Sequence, residues 1–278
     1  MSKESISSES AVEGLLEIMR ALRDPATGCP WDLRQDFDSI VPFTIEETYE
    51  LAAAIAAKDP AQICDELGDV LFQVVFYAQI ANEKSLFDFA DVASAISAKL
   101  VRRHPHVFDA QVEGPVTETE VKERWEAIKE QERSLKNQNG ILDDVPLALP
   151  SLSRAQKLQK RAATVGFDWP DLAGVFAKVD EEVAELKEAV EQGDAVAIED
   201  EVGDIFLTVV NLARHLHVDA EAAVRKANSR FENRFQLMEI ASEADGSRLR
   251  DEEPGLLEQR WQTAKQQLAS NVPPGESF

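Results

Sequence analysis

Two pairs of acidic residues in the first half of the chain have a spacing that could place them beside a metal ion. Glu47 and Glu50 are three residues apart, and so are Glu66 and Asp69. Residues i and i+3 share one face of an α-helix, so each pair would present two carboxylates side by side. Apolar residues fill most of 67–76, which predicts a helix buried nearly all round. Buried carboxylates need positive charge nearby, and hard cations such as Mg2+ take oxygen ligands, usually together with substrate phosphates.

The same arrangement occurs again in the second half of the chain. Adding 135 to the number of each acid gives Glu182, Glu185, Glu201 and Asp204. The first glutamate of one pair and the glutamate of the other are 19 residues apart in both halves. A single pair of this kind is common on solvated helix faces. Four acids repeated in register indicate an internal duplication.

Composition predicts a cytoplasmic, mainly helical protein. The 278 residues suggest about two domains, and no run of alternating β-branched residues argues for a sheet. The net charge of −23 argues against binding polymeric DNA or RNA, which requires basic surface. Cys29 and Cys64 lack the spacing of a disulfide framework or zinc site, which favours a reducing compartment. The chain has no apolar signal region and no apolar run of 18 residues, so no membrane association is expected.

The elements that must position these acids are helices arranged in two tandem units. We expect an all-α fold of duplicated helical bundles, with an N-terminal domain over 1–136, a linker over 137–150 and a C-terminal domain over 151–278 that ends in a short disordered tail. Helical spacing and terminal signals predict helices at about 12–23, 60–82, 88–103, 119–136, 172–192, 195–217, from 219 onward, and 252–269. Trp31, in a loop with Pro25, Gly28 and Pro30, is predicted to fill the core, with base stacking as the alternative.

A capping box is the strongest purely structural explanation for Glu47. Thr44 stands three residues before it, so Thr44 could be a helix N-cap and Glu47 could accept a hydrogen bond from a backbone N–H there. This explanation does not extend to Glu50, or to Glu182, which has Val179 three residues before it. Capping therefore does not account for the repeat.

Three interpretations of the repeated acids and the basic residues that follow them can be compared. An acidic bundle with incidental salt bridges explains the charges singly, but not why basic residues follow the acids in both halves. A di-iron bundle would use Glu-x-x-His pairs, and neither acidic motif supplies a histidine. A nucleoside triphosphate held through Mg2+ uses every element, because Arg and Lys bind phosphate oxygens and Trp lies against the base. The chain has no GxxxxGK[ST] motif, so it is not an ordinary P-loop NTPase.

These motifs together resemble the MazG family of nucleoside triphosphate pyrophosphohydrolases, in the all-α NTP pyrophosphatase group. The resemblance covers roughly residues 10–268 and rests on EExxE followed by ELGD, on the repeated EExxE and EVGD, and on GCPWD, RRHPHVF, VGFDW and RWE/RWQ. It implies Mg2+-dependent cleavage of NTPs and dNTPs to the monophosphate and pyrophosphate, with Mn2+ as a substitute ion and nucleotide-pool sanitising as the role. It also implies a homodimer in which the C-terminal copy is catalytic.

The resemblance assigns roles to individual residues of this chain. The catalytic and metal-binding residues would be Glu182, Glu185, Glu201 and Asp204. The nucleotide-binding residues would be Lys178, Arg230, Arg234, Trp261 and Lys265. Arg230 stands where the family pattern often has lysine, which keeps the charge but not the geometry. The N-terminal copy keeps a similar set, namely Glu47, Glu50, Glu66, Asp69, Lys99, Arg103, Trp125 and Lys129.

Sequence alone leaves two other classes of function open. A regulator that senses NTP levels would bind the nucleotide without turnover, and an interaction scaffold would show no Mg2+ dependence of thermal stability. Sequence gives no chemical reason for the N-terminal copy to be silent, so it either retains activity or serves mainly in dimer assembly.

Overall fold

The computed structural model describes residues 8–108, 140–143 and 145–270, together with positions 117, 120, 121, 124, 125 and 128. Throughout this described part the regular secondary structure is helical, which confirms the all-α prediction. The chain divides into two compact units, residues 1–130 and 131–278. The domain boundaries at 136 and 151 stay a prediction. The tail over 271–278, Lys129 and most of the predicted helix over 119–136 lie outside the described residues.

The first unit contains a long helical hairpin flanked by shorter helices. Its helices are α1 (Ser8–Leu22), α2 (Phe37–Ala57), α3 (Pro60–Glu83), α4 (Phe89–Arg103) and α5 (Pro105–Phe108). Helix α2 packs along α3, and α1 also packs against α3. The buried core of this unit lies between these three helices and consists of Met19, Ile40, Val75, Phe76 and Ile80.

The second unit repeats the hairpin. Its helices are α6 (Ser151–Ala163), α7 (Leu172–Gln192), α8 (Ala195–His215), α9 (Ala220–Ala244) and α10 (Pro254–Ser270). Helices α7 and α8 form the hairpin, α6 packs on α8 and α9, and α10 packs on α9. The predicted start of the last helix, at 252, is two residues early, because a short 3-10 turn (Leu249–Asp251) precedes α10.

The same local chemistry closes both hairpins. Lys58 ends α2 in the left-handed conformation (φ 57°), and Gly193 ends α7 in the same way (φ 70°). An aspartate then accepts hydrogen bonds from the first backbone N–H groups of the next helix, Asp59 for α3 and Asp194 for α8. These short turns fix the register between the two helices that carry the acids.

The capping box proposed at Thr44 is wrong. Helix α2 begins seven residues earlier, where the Asp36 side chain accepts from the Ser39 backbone N–H and the Ser39 hydroxyl accepts from the Asp36 N–H. Thr44 lies inside the helix, and its hydroxyl donates to the Ile40 carbonyl at 3.2 Å. Glu47 is therefore not occupied by helix capping.

Two burial predictions are also wrong for the single chain. Helix α3 is buried only in its C-terminal half, where it meets α1 and α2, and Leu67 remains 51% exposed. Phe206, in the corresponding part of α8, is 60% exposed. Trp31 does not fill the core, since it is 43% exposed and its ring meets the Phe43 ring edge-on at 5.6 Å.

Helix α4 ends at Arg103, as predicted, with its cap at His104, and Pro105 begins the separate short helix α5. Among the described residues, no helix is both long and apolar enough to cross a membrane.

Candidate functional site

Three of the four acids predicted in the second unit come together at the hairpin. Glu182 of α7 and Glu201 and Asp204 of α8 each place a carboxylate oxygen within 4.8 Å of the others. Glu182 is only 4% exposed, Glu201 is half-buried and Asp204 is exposed, so the cluster opens toward solvent on one side. Glu185 is not in this close group, although its charge acts on Glu201. The i,i+3 pairs were correctly placed on two facing helices, but only one member of the α7 pair reaches the cluster.

The electrostatics of this cluster favour a cation. Burial raises the pKa of the Glu201 carboxyl, and the neighbouring charges of Glu185, Glu182 and Asp204 raise it further. All the donors are carboxylate oxygens, which are the ligands that Mg2+ and similar hard cations prefer. The residues of the cluster therefore fit a divalent cation by donor type and by charge.

Lys178 lies one helical turn before Glu182 on α7. Its ammonium nitrogen is 2.8 Å from a carboxylate oxygen of Glu181 and 2.8 Å from one of Glu182. Hydrogen bonds to these two carboxylates raise the pKa of Lys178 above its ordinary value, so the side chain stays charged. The second unit thus has a fixed positive charge directly beside the acidic cluster.

The first unit has the matching acidic cluster without that lysine. Glu47, Glu66 and Asp69 bring carboxylate oxygens within 4.8 Å of one another, and Glu50 stands outside this group as Glu185 does. Burial, followed by the charge of Asp69, raises the pKa of Glu47, and burial followed by Glu50 raises that of Glu66. Subtracting 135 from Lys178 gives Phe43, so an aromatic ring stands where the second unit has an ammonium group.

The remaining predicted residues of the second unit lie on the other helix pair, α9 and α10. The Arg234 guanidinium carbon is 5.5 Å from the centre of the Trp261 ring, and the centre of the Phe231 ring is 5.3 Å from the same point. Arg230 lies one turn before Arg234, and Lys265 lies one turn after Trp261; both are half-buried. Over 145–270, no ion pair joins Arg230, Arg234 or Lys265 to any carboxylate. The structure thus gathers the acids on α7 and α8, and the cations and aromatic rings on α9 and α10.

The counterparts in the first unit are described only in part. Lys99 and Arg103 lie on α4, the former exposed and the latter half-buried. The Trp125 ring meets the His104 ring edge-on at 5.2 Å. Lys99 and Arg103 thus lie near the C-terminal end of α4, next to its cap residue His104.

His215 takes part in fold stabilisation and lies apart from the acidic cluster. Its Nε2 is 2.9 Å from Asp168, whose carboxylate also accepts a hydrogen bond from Arg214. The hydrogen bond from Arg214 lowers the pKa of Asp168 below its ordinary value. This contact ties the loop that carries Trp169 to the end of α8.

Sequence reasoning missed a cavity of about 800 Å3 between α9, the 249–251 turn and α10. Its apolar lining includes Trp261, Phe231, Phe235 and Met238, and its charged lining includes Arg248 and Arg250. Loop residues carry no periodic pattern, so only the RWE/RWQ repeat pointed to this region.

Comparisons with known proteins match this chain to one family of nucleotide hydrolases. The family model of the MazG nucleotide pyrophosphohydrolase domain matches residues 35–108 and 173–236, the two segments that carry the acidic clusters. A nucleoside triphosphate pyrophosphohydrolase of Escherichia coli K12 is 50% identical over 259 residues, which is 92% of this chain and 97% of the relative. The nucleoside triphosphate pyrophosphohydrolase/pyrophosphatase MazG of Thermotoga maritima is 45% identical over 253 residues, or 91% of this chain and 95% of the relative. The crystal structure of a mazG-related protein from Thermotoga maritima aligns with 27% identity and a TM-score of 0.36, over 42% of this chain and 98% of that chain.

Proposed function

This chain belongs to the MazG nucleotide pyrophosphohydrolase family, and we propose that it hydrolyses nucleoside triphosphates to the monophosphate and pyrophosphate with Mg2+ at the acidic cluster of its second unit. The observation that carries the proposal is the set of three carboxylates within 4.8 Å at Glu182, Glu201 and Asp204, on a segment that the family model matches. Nucleotide-pool sanitising is the role that fits this activity.

In this proposal the acids hold the cation and are the catalytic residues. Glu182, Glu201 and Asp204 are its ligands, and Glu185, three residues along α7 from Glu182, supplies the fourth carboxylate. When bound, Mg2+ supplies Lewis-acid stabilisation of the phosphate oxygens. Mn2+ accepts the same oxygen donors and is the expected substitute.

The nucleotide is held by the cations and by Trp261. Lys178 already lies beside the acids, so its ammonium group can donate to a phosphate oxygen that approaches the cluster. Arg230, Arg234 and Lys265 form no ion pair in the described second unit, so binding a phosphate breaks no existing pair. The Trp261 ring offers a flat apolar surface for the base.

The first unit keeps the acidic cluster but has Phe43 in place of the lysine. We propose that the second unit is the main site of hydrolysis, because the Lys178 ammonium lies 2.8 Å from Glu182 there, whereas Phe43 stands at the equivalent position of the first unit. The domain limits proposed are 1–136 and 151–278, with the linker between them.

A homodimer is proposed as the assembly. Its support is the large exposed apolar side chains on both hairpins, such as Leu67 and Phe206, which a second copy would cover. The cytoplasm is proposed as the compartment, since a reducing environment suits the free thiols of Cys29 and Cys64.

Product analysis tests the proposal. The protein is incubated with a panel of NTPs and dNTPs, once with Mg2+ and once with EDTA, and the products are separated. Monophosphate and pyrophosphate that disappear under EDTA are the expected result. Diphosphate with inorganic phosphate contradicts the proposed cleavage position, and binding without turnover points to a sensor instead.

A further inference from the structure

A polar network centred on the shielded carboxylate of Glu252 joins the end of α9 to the start of α10. The hydroxyls of Ser242 and Ser247 each donate to Oε1 of Glu252 at 2.6 Å. Arg260 donates from Nε to Oε2 of Glu252 at 2.7 Å and from Nη2 to Asp245 at 2.9 Å. We call these five residues the Glu252 clamp. Both carboxylate oxygens of Glu252 are therefore used, one by α9 and its following loop and the other by α10.

The Glu252–Arg260 pair at the centre of the clamp is shielded from solvent, although Asp245 at its edge is exposed. The side chains of Glu252 and Arg260 are 3% and 9% exposed. Hydrogen bonds from Arg260, Ser242 and Ser247 lower the pKa of Glu252 to about 2, so its carboxylate stays ionised. The pair between Arg248 and Asp251, at 2.7 Å, is exposed on both sides and is expected to contribute little.

The clamp determines where α10 lies on α9. Arg260 immediately precedes Trp261, so fixing the Arg260 guanidinium restricts the rotation and shift of α10 at that ring. The Trp261 ring contacts two residues of α9, with the Phe231 ring 5.3 Å and the Arg234 guanidinium carbon 5.5 Å from its centre. The same loop forms part of the 800 Å3 cavity that Trp261 lines.

The clamp does not extend to the first half of the chain in the register of the RW motif. Subtracting 136 turns Arg260 into Arg124 and Trp261 into Trp125, but Glu252 into Val116. In this register only the second half has a carboxylate at this position. The arginine and tryptophan are thus common to both halves of the sequence, whereas the residue eight positions before the arginine differs.

We propose that Glu252 is a positioning residue for nucleotide binding, which acts through Arg260 to hold Trp261 against Phe231 and Arg234. The inference rests on the proposed function of the second unit, since it assumes that Trp261 contacts the nucleotide. Glu252 itself touches neither the base nor the phosphates.

Kinetics of matched variants give the first test. We expect Glu252→Ala to raise KM for the NTP on the order of tenfold and to change kcat much less than KM. This rise is smaller than the roughly 100-fold loss that a misplacement of about 1 Å can cause. Asp251→Ala removes the exposed pair of the same loop and should leave KM unchanged. Because Glu252 acts through Arg260, the double variant Glu252→Ala/Arg260→Ala should lose no more than the worse single variant. Equal KM values for Glu252→Ala and Asp251→Ala overturn the proposal, and so do additive losses in the double variant.

A spectroscopic readout separates this proposal from the proposed function. The protein is labelled with 5-fluorotryptophan, and the 19F signal of Trp261 is assigned with Trp261→Phe. In the absence of nucleotide, Glu252→Ala should shift or broaden that signal and Asp251→Ala should not. If Glu252→Ala fails to fold, Ser242→Ala, which removes a single hydroxyl from the clamp, should give a smaller change in the same direction.

The two readouts fail separately. An unchanged Trp261 signal in Glu252→Ala refutes the clamp even if the wild-type protein hydrolyses NTPs. In the other case, Glu252→Ala changes the Trp261 signal but the wild-type protein neither binds nor hydrolyses NTPs. That result refutes both the role in nucleotide binding and the proposed function, while the coupling between Glu252 and Trp261 still stands.

Discussion

Replacing Glu47 by glutamine should stabilise the metal-free protein. Glu47, Glu66 and Asp69 hold three carboxylates within 4.8 Å, and burial and these neighbours raise the pKa of Glu47. Two unit charges 4.8 Å apart repel by about 0.9 kcal/mol in a water-like dielectric. Removing the Glu47 charge relieves two such pairs, so the free energy of unfolding should rise by about 1–2 kcal/mol after allowance for solvent screening.

Thermal unfolding in EDTA at neutral pH measures this effect. A gain of this size corresponds to an increase of about 4–8 °C in the Tm of a unit of this length. Glu46→Gln is the matched control, because it removes the same charge from the neighbouring, exposed position of α2. The gain should also shrink on acidification. A raised pKa means that the repulsion is present above the folded-state pKa and disappears as pH falls through it.

Added Mg2+ should reverse the order of stabilities. A ligand that binds only the folded state raises its stability, so the wild-type Tm should rise with Mg2+ and the Glu47→Gln Tm should rise less. A lower Tm for Glu47→Gln than for the wild type in EDTA would refute the reasoning. So would an increase no larger than that of Glu46→Gln.

Three further predictions concern the core, acid stability and the lysine beside the second cluster. Phe76→Ala should lower the free energy of unfolding of the first unit by about 3–5 kcal/mol in a urea titration, because Phe76 is fully buried, whereas Val74→Ala at an exposed position of α3 should have little effect. The wild type should have a higher Tm than Glu252→Gln, and this difference should be fully present above pH 4.5 and decline as pH falls toward 2. The reason is that the folded-state pKa of Glu252 is lowered from 4.5 to about 2. A Tm difference that grows on acidification would contradict this assignment. Lys178→Met should raise KM for NTPs about tenfold, because a charge-assisted hydrogen bond to the phosphate is lost. It should also tighten Mg2+ binding to the nucleotide-free protein, measured by calorimetry, because a positive charge 2.8 Å from Glu182 is removed. Weaker Mg2+ binding would count against the proposed roles.

Local rules predicted most helix boundaries, because the signals that end and begin helices are themselves local. Asp59 followed by Pro60 starts α3 as expected, and Gly193 followed by Asp194 separates α7 from α8. The start of α2 was predicted wrongly. Pro42 lies inside this helix, where it removes one backbone hydrogen bond, and tertiary packing of Ile40 in the core outweighs that local loss.

The composition of the acidic cluster was predictable, but its geometry was not. Helical periodicity placed Glu47 with Glu50, and Glu66 with Asp69, on common faces, and the repeat made the signal specific. Which carboxylates meet across the hairpin depends on the packing of two helices, so the exclusion of Glu50 and Glu185 from the close groups had no signal in the sequence.

Burial was overestimated because apolar composition does not say which surface covers a helix. Leu67 and Phe206 lie on apolar helices, yet they remain exposed in the single chain. Glu252 was missed for a different reason. It lies in an aperiodic loop, and its role depends on Arg260, eight residues away on the next helix.

The most direct test of the central claim compares Glu201→Gln with Glu66→Gln in the product assay. The two residues occupy equivalent positions of the repeat, and each lies in a cluster of three carboxylates. We expect Glu201→Gln to lower kcat/KM for pyrophosphate release by more than about 100-fold, beyond the loss typical of residues that only support a metal ligand. Glu66→Gln should keep most of the wild-type activity. Activity that survives in Glu201→Gln and is lost in Glu66→Gln would contradict the assignment of catalysis to the second unit.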